Sequence, residues 1–392
     1  MKTIVCLSCQ FKGNDFLKEA KKLGNYLILI TSESLKDEAW ERDSVDEFYY
    51  MPEIKESYWK MDFLIKGISH LLKTRKIDSI VAFDDFDVEK AAELRETFRI
   101  PGMGMTTYRY FRDKLAMRQK AKDAEIKVPE FTSIFNDEKI NHFIEKNQSP
   151  WMLKPRSDAS THGIEIIENK DELWQAIHKL GDERMNYLLE SFEPGEVYHV
   201  DSLIANGRMV FSNFSKYLKP PFEVTRKGGV FCTVNVGRRS KDAEELTKIN
   251  RKVMTSFGIR DGVSHSEYIK GKDGEFYFLE TSSRMAGAHI PTMIEAATGI
   301  NFWSEWAKIE TQSLRGEKYI SPAPVRFYAG LLLAMTTNKK PDIQPFVNNE
   351  FYKEVFKDYH IGVVYRADKP EILMERIENA MDYIKENLMI SN

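Results

Sequence analysis

At 392 residues the chain is too long for one ordinary hydrophobic core, so two or three domains are expected. A composition 42% hydrophobic, 30% charged and 12% aromatic is that of a soluble globular protein. With 57 basic against 60 acidic residues the net charge is only -3, which excludes a global electrostatic pull toward nucleic acid or membrane.

The N-terminus, "MKTIVCLS", opens directly in a strand pattern without the long apolar core of a signal peptide. No apolar run approaches the roughly 18 residues of a membrane span. Three cysteines cannot build a disulfide scaffold, so a cytoplasmic setting is expected. Cys6 and Cys9 form a C-x-x-C with no second ligand pair, and read as ordinary thiols at the end of the first strand.

The first hundred residues alternate strand and helix. "TIVCLS" (3–8), "YLILIT" (26–31) and "SIVAFD" (79–84) predict strands. "DFLKEAKKLG" (15–24), "SYWKMDFLIKGISHLLKTRK" (57–76) and "VEKAAELRETFRI" (88–100) predict helices, the last stopping at Pro101-Gly102. This order predicts a small open parallel α/β sheet. Its first strand–helix turn, "CLSCQFKGND", lacks G-x-G-x-x-G, so no dinucleotide fingerprint is present.

From about residue 106 the texture changes. A charged helix (108–125) precedes short strands at 151–156, 163–168, 187–192, 196–217 and 229–237, then a helix at 243–258. "SHSEYIKGKDGEFYFLET" (264–281) predicts a hairpin turning at "KGKDG". The last seventy residues or so combine a strand (324–335) with a terminal helix (370–388), read as a small subdomain packed on the second unit.

That hairpin carries the most chemistry. Glu267 sits on its first strand and Glu280 near the end of its second, where a tight turn can bring them side by side. Facing carboxylates repel unless a cation lies between them, and hard oxygen ligands suit a magnesium–nucleotide site. The competing reading is two solvated edge carboxylates. Arg284 follows with a positive charge that either pairs with Glu280 or stabilises a transferring phosphoryl group.

Upstream, Lys154 emerges from the apolar "WML" run and needs an anionic partner. The small polar loop after it, with Ser157, Ser160, Thr161 and Gly163, suits phosphate wrapping, although it is not a Walker A loop. Lys114, in "FRDKLAMR", reads on its own as a solvated helical lysine. In "LLESFEPGEVYHVD", Glu190 and Glu196 flank a Pro-Gly turn, and on its own this is a surface hairpin. His199, His265 and His289 default to structural hydrogen-bonding roles. His265 is placed to orient Glu267, and His289 is the better substrate contact.

The ordered series Lys114, Lys154, Glu190–Glu196, Glu267, Glu280, Arg284 resembles the ATP-grasp superfamily, in outline over the whole chain. It does so most from "FRDKLAMR" to "MAGAHIPTMIEAATGIN". "ETSSRMAGAHI" followed by "IEAATGIN" looks most like its carboxylate–amine ligase branch, and biotin carboxylase belongs to the same superfamily.

The resemblance implies an α/β fold, α+β in its central part. It implies an N-terminal open parallel α/β (preATP-grasp) domain at 1–105 and an ATP-grasp domain at 106–320, with a lid subdomain at about 125–190. A C-terminal subdomain would occupy 321–392. Lys114 and Lys154 would neutralise nucleotide phosphates under a lid loop containing Ser160 and Thr161. Glu190, Ser191, Phe192 and Glu193 would line adenine, and Glu196 would bind ribose. Glu267 and Glu280 would hold Mg (or Mn), with Ser282 standing where many members have a ligating Asn, so a second metal ion is in doubt. Arg284 would face the transferring phosphate. Arg226, in "KPPFEVTRKGGVF" (219–231), is a candidate for the acceptor carboxylate, as are Gly287 and His289 for substrate contact.

The reaction implied is ATP-dependent joining of a small carboxylate and an amine through an acyl phosphate, with release of ADP and phosphate. No nucleic-acid or membrane partner is expected, and a homodimer is common in the family. The alternatives are a carboxylase-like or nucleotide-biosynthesis enzyme of this superfamily, and a non-catalytic ATP-binding protein that kept the fold.

Overall fold

The computed structural model describes residues 1–55, 58–158, 163–355 and 357–389. It begins with β1 (Thr3–Ser8), α1 (Asn14–Lys22), β2 (Tyr26–Ser32) and β3 (Glu47–Met51). A small two-stranded ribbon follows, β4 (Glu53–Lys55) with β5 (Tyr58–Trp59), then α2 (Met61–Leu72), β6 (Ser79–Ala82) and α3 (Asp85–Phe98). β3-β2-β1-β6 form one parallel sheet. Its central strands are buried almost throughout, as a parallel sheet covered on both faces requires. α2 is shorter than the expected 57–76. Trp59 is instead buried in β5, where its indole donates to Ser32 Oγ at 2.9 Å.

The chain then runs through α4 (Lys114–Asp123), β7 (Phe131–Ser133), α5 (Asp137–Lys146) and β8 (Trp151–Pro155). It continues with β9 (Glu165–Ile167), α6 (Lys170–Leu180) and β10 (Tyr187–Ser191). The expected 108–125 helix is broken. A 3-10 turn covers Tyr108–Phe111, and Asp113 then caps α4 by accepting from the Leu115 and Ala116 amides. β7-β10-β8-β9 form an antiparallel sheet. Alternation along β8 sends Trp151 and Leu153 into a core with Ile140, Phe143, Leu173, Ile177 and Leu189. Met152 and Lys154 are left on the opposite face.

Eight strands make the third sheet, β15-β14-β11-β12-β13-β16-β18-β17. Its elements are β11 (Gly195–Ala205), β12 (Arg208–Tyr217), α7 (Pro221–Lys227), β13 (Phe231–Asn235), α8 (Lys241–Phe257), β14 (Gly262–Gly271) and β15 (Phe276–Ser282). Then come α9 (Ile290–Thr298), α10 (Phe302–Arg315), β16 (Tyr328–Met335), β17 (Phe351–Glu354), β18 (His360–Ala367) and α11 (Pro370–Asn387). The segment expected as a small subdomain packed on the second unit therefore supplies no sheet of its own. Its three strands extend the sheet beyond β13 in the order β16-β18-β17, with β16 pairing residues 330–333 with 231–234 of β13. Residues 219–231, which carry Arg226, contain α7. Pro221 stands in its first turn and Gly228 ends it at φ 72°.

α10 docks the first sheet onto the third. Phe16 of α1 packs edge-on against Phe83 and Trp306, with ring centroids 5.0 and 5.3 Å apart. Asn25 donates to Thr311 Oγ1 at 2.8 Å in the same buried seam. Cys6, Cys9 and Cys232 are buried free thiols, and burial pushes each thiol pKa up, which disfavours the reactive thiolate. Among the described residues no helix is long and apolar enough to cross a membrane.

Candidate active site

A cavity of about 380 Å³ opens between the four-stranded sheet of β7–β10 and the eight-stranded sheet. One part of its wall is apolar, formed by Met152, Ile164, Ile166, Val197, Ile269 and Leu279. Elsewhere the wall carries Lys114, Arg118, Lys154, Glu190, Glu267 and Glu280. α7 adds Phe222, Arg226 and Lys227. An apolar slab beside a cluster of charges suits a ligand with a flat base at one end and anionic groups at the other.

The carboxylates are placed by the β14–β15 hairpin. Glu267 and Glu280 are direct cross-strand partners. The next pair is Tyr268 with Phe278, so Leu279 has no opposite number and forms a bulge. A bulge re-aims the side chains beside it, and here both Leu279 and Glu280 reach the cavity. The Leu279 carbonyl accepts from the Arg118 guanidinium. The bulge lets β15, the edge strand of its sheet, deliver a carboxylate near its end.

Each carboxylate already has a cation or a donor. Lys114 Nζ lies 2.7 Å from Glu280 Oε2 and donates to the Asp158 carbonyl at 2.8 Å. Burial raises the Glu280 pKa, but Lys114 and then Lys154 outweigh it and hold the group below its ordinary value. Glu190 is 1% exposed and clamped on both sides, by Lys154 Nζ at 2.7 Å and by Arg118 Nε at 2.8 Å. Burial opposes its charge, yet Arg118 and Lys154 lower its pKa overall. Glu267 Oε1 accepts from the Tyr217 hydroxyl at 2.8 Å, with His265 Nε2 3.6 Å away. Burial alone would depress the His265 pKa, but Asp201 and then Glu267 raise it to about 9.

Arg284 stands elsewhere. Its Nε donates to Asp85 Oδ2 at 2.7 Å, joining the end of β15 to the start of α3 in the first sheet's unit. Burial opposes the charge on Asp85, but Arg284 outweighs it and holds the carboxyl well below the usual carboxylate range. Asp85→Ala would leave the guanidinium without its partner. The expected cost is about 3–5 kcal/mol, read as a lower urea midpoint. A loss below about 1 kcal/mol, as for an exposed pair, would show that this contact does not tie the two units together.

The cavity thus gathers Lys114, Lys154, Glu190, Phe192, Glu193, Arg226, Glu267 and Glu280. Ser191, Glu196, Ser282, Arg284, Gly287 and His289 do not line it. Glu196, expected on ribose, is tied to Lys216 at the surface, with its side chain more than half exposed. Glu190, expected on adenine, spends its side chain in the ion cluster. Arg226, expected on an acceptor carboxylate, faces this same cavity from α7. Ser160 and Thr161 lie outside the described residues. Gly287 faces open space, where a Cβ would meet nothing within 4 Å. His289 precedes α9 in left-handed conformation at φ 58°, directly after Ala288 at φ 52°, and burial followed by Lys353 lowers its pKa.

Arg118, which lines the cavity, and Asp85, Asp201 and Tyr217, which bind Arg284, His265 and Glu267, are not singled out by the sequence. Only Arg118 had a local signal, since it follows Lys114 by one helical turn on the same face.

Residues 147–292 match the ATP-grasp domain family. Over 240 residues, 59% of this chain, the sequence is 29% identical to the L-arginine-specific L-amino acid ligase of Bacillus subtilis, and spans 57% of that ligase's length, less than two thirds. The fold superposes on the crystal structure of L-amino acid ligase from Bacillus licheniformis with a TM-score of 0.77 at 16% identity, covering 100% of this chain and 99% of the other. The biotin carboxylase domain of Hydrogenobacter thermophilus 2-oxoglutarate carboxylase, solved with MgADP and bicarbonate, gives a TM-score of 0.70 at 16% identity, covering 100% and 90%. Residues 147–292 thus carry an ATP-grasp domain, and the chain as a whole resembles the carboxylate–amine ligase branch of that superfamily.

Proposed function

We propose that this chain is an ATP-dependent ligase joining a small carboxylate to an amine through an acyl phosphate, with release of ADP and phosphate. The observation that carries the reading is the paired Glu267 and Glu280 facing a cavity that also holds Lys114, Lys154 and an apolar wall. The L-amino acid ligase likeness supports the reaction class.

The residues fit a divalent cation. Two carboxylates side by side on neighbouring strands are a hard-oxygen donor set, and such a pair is costly without a cation between its members. Glu267 and Glu280 would hold Mg²⁺. When bound, the metal would neutralise charge on the phosphates and on the transferring group.

The chain's own residues do the rest. Met152, Ile166 and Leu279 sandwich the base, and the backbone of Phe192 and Glu193 reads its edge. Lys114 and Lys154 turn from Glu280 and Glu190 toward the incoming phosphates, an exchange of one anion for another in a partly dry site. α7, carrying Arg226 and Lys227, covers the cavity and limits water around an acyl phosphate. Arg284, the candidate for facing the transferring phosphate, is held by Asp85 outside the cavity lining. A reducing cytoplasm suits three buried free thiols.

The test is phosphate release from Mg²⁺–ATP across amino acids and small carboxylates, offered singly and in pairs. The expected result is release that requires a pair and yields ADP rather than AMP. Release that needs bicarbonate and no amine would replace this reading with the carboxylase-like one.

A further inference from the structure

Behind Glu267 lies a chain of polar side chains that the reaction outlined above does not use. On β11, His199 and Asp201 alternate onto one face, and on β14 His265 and Glu267 do the same. The register sets Asp201 opposite His265 and His199 opposite Glu267, so the four make a square on one face of the sheet. The contacts run from Thr233 to Glu267. Thr233 Oγ1 is 2.8 Å from His199 Nε2, and His199 Nδ1 is 2.7 Å from Asp201 Oδ2. Asp201 Oδ1 is 2.9 Å from His265 Nδ1, and His265 Nε2 is 3.6 Å from Glu267 Oε1, an ion-pair rather than a hydrogen-bond distance. His199 is fully buried and Asp201 is 2% exposed.

His199, Asp201 and His265 are also close enough together to hold a metal ion of their own. The hydrogen bonds argue against that use. Each oxygen of Asp201 is taken by one imidazole, and the second nitrogen of His199 is taken by Thr233. A buried polar row this complete is expensive to assemble and rigid once satisfied. Its one outlet is Glu267, where Tyr217 and His265 converge on a single oxygen, Oε1.

We propose that Thr233, His199, Asp201 and His265, with Tyr217, are positioning residues. They lock the Glu267 carboxylate so that Oε1 faces the sheet and Oε2 faces the metal. The proposal rests on the reading of Glu267 as a metal ligand. The row is an outer shell of the kind that fixes ligand orientation at metal sites, here behind a carboxylate.

The experiment measures Mn²⁺ binding by electron paramagnetic resonance, with ADP present and no turnover, on the full chain. Glu267→Gln should abolish the tight Mn²⁺ signal. Asp201→Asn, His265→Gln and Tyr217→Phe should each keep the fold and metal-free ADP binding, and weaken Mn²⁺ by about 10–100-fold. Tyr217→Phe removes one hydroxyl, so it carries the test if a β11 or β14 variant fails to fold. Folded variants that bind Mn²⁺ as tightly as the parent would overturn the positioning role, while loss in Glu267→Gln would leave the metal reading standing. Mn²⁺ binding that ignores Glu267→Gln would remove the metal reading itself. A stoichiometric transition metal in the purified protein, lost in Asp201→Asn, would replace the positioning role with a structural metal centre.

Discussion

Glu280→Gln is expected to lower pair-dependent phosphate release by about 10²–10³-fold, the range seen when one preorganised electrostatic contact to a developing charge is removed. The substitution keeps the shape of the side chain and removes only its charge. Its structural cost should be small, about 0–1 kcal/mol, because the Glu280 side chain is 37% exposed toward the cavity. Metal-free ATP should still bind, since Lys114 and Lys154 keep their charges and Lys114 loses its competing carboxylate. The loss should therefore appear in turnover and in the metal requirement rather than in nucleotide affinity. A Glu280→Gln variant that kept a tenth or more of the parent rate at saturating Mg²⁺ would remove Glu280 from the metal site.

The second large effect is on stability. Glu190→Gln leaves Arg118 and Lys154, 1% and 10% exposed, without their shared carboxylate. Breaking a buried pair in this way costs about 3–5 kcal/mol, far more than any surface ion pair on this protein would. The pH dependence follows from the direction of the shift. Glu190 titrates below its ordinary value of 4.5 in the folded chain. Its contribution is therefore complete above that value and is lost as pH falls through the lower, folded-state pKa. Urea midpoints of parent and variant should differ most near neutral pH and converge as the pH falls below the ordinary carboxylate range. A gap that stays constant with pH would show that the loss came from packing and not from charge.

Much of the fold was legible because its signals are local. The parallel strands are short β-rich runs, and the Glu267–Glu280 hairpin announces itself through alternation around a Gly-containing turn. α7 was hidden because its seven residues are too few to show periodicity, and the proline and glycine pairs that bracket it read as loop. α10 carries complete signals, an Asn301 cap and a Gly316 stop, and belongs with the legible elements although it was not among those expected. The C-terminal strands could not be assigned to the eight-stranded sheet, because pairing of β13 with β16 is a long-range event with no local mark.

The same divide runs through the site. Glu267 and Glu280 share a hairpin, so their pairing could be expected. The bulge at Leu279 that brings Glu280 to the cavity depends on a register shift that residue types do not reveal. Lys114 with Glu280, Arg118 with Glu190 and Arg284 with Asp85 are ion pairs between residues far apart in sequence. Lys114 reads on its own as solvated, Arg284 as a partner of Glu280 or of a phosphoryl group, and Arg118 carries no reading; only the fold names their partners. Glu196 shows the converse: its place beside the Pro-Gly turn is right, but its side chain points to Lys216 at the surface. The turn itself is constrained, since a Cβ at Gly195 would run into the Lys270 carbonyl.

Acyl phosphate formation is the step on which the ligase reading stands, and oxygen transfer probes it without an assumption about the amine. The carboxylate substrate would be labelled with ¹⁸O in both oxygens and turned over with Mg²⁺–ATP and the amine. Each molecule of inorganic phosphate released should then carry one ¹⁸O, with ADP as the nucleotide product and no transfer in Glu280→Gln. Unlabelled phosphate released in step with amide formation would rule out an acyl phosphate.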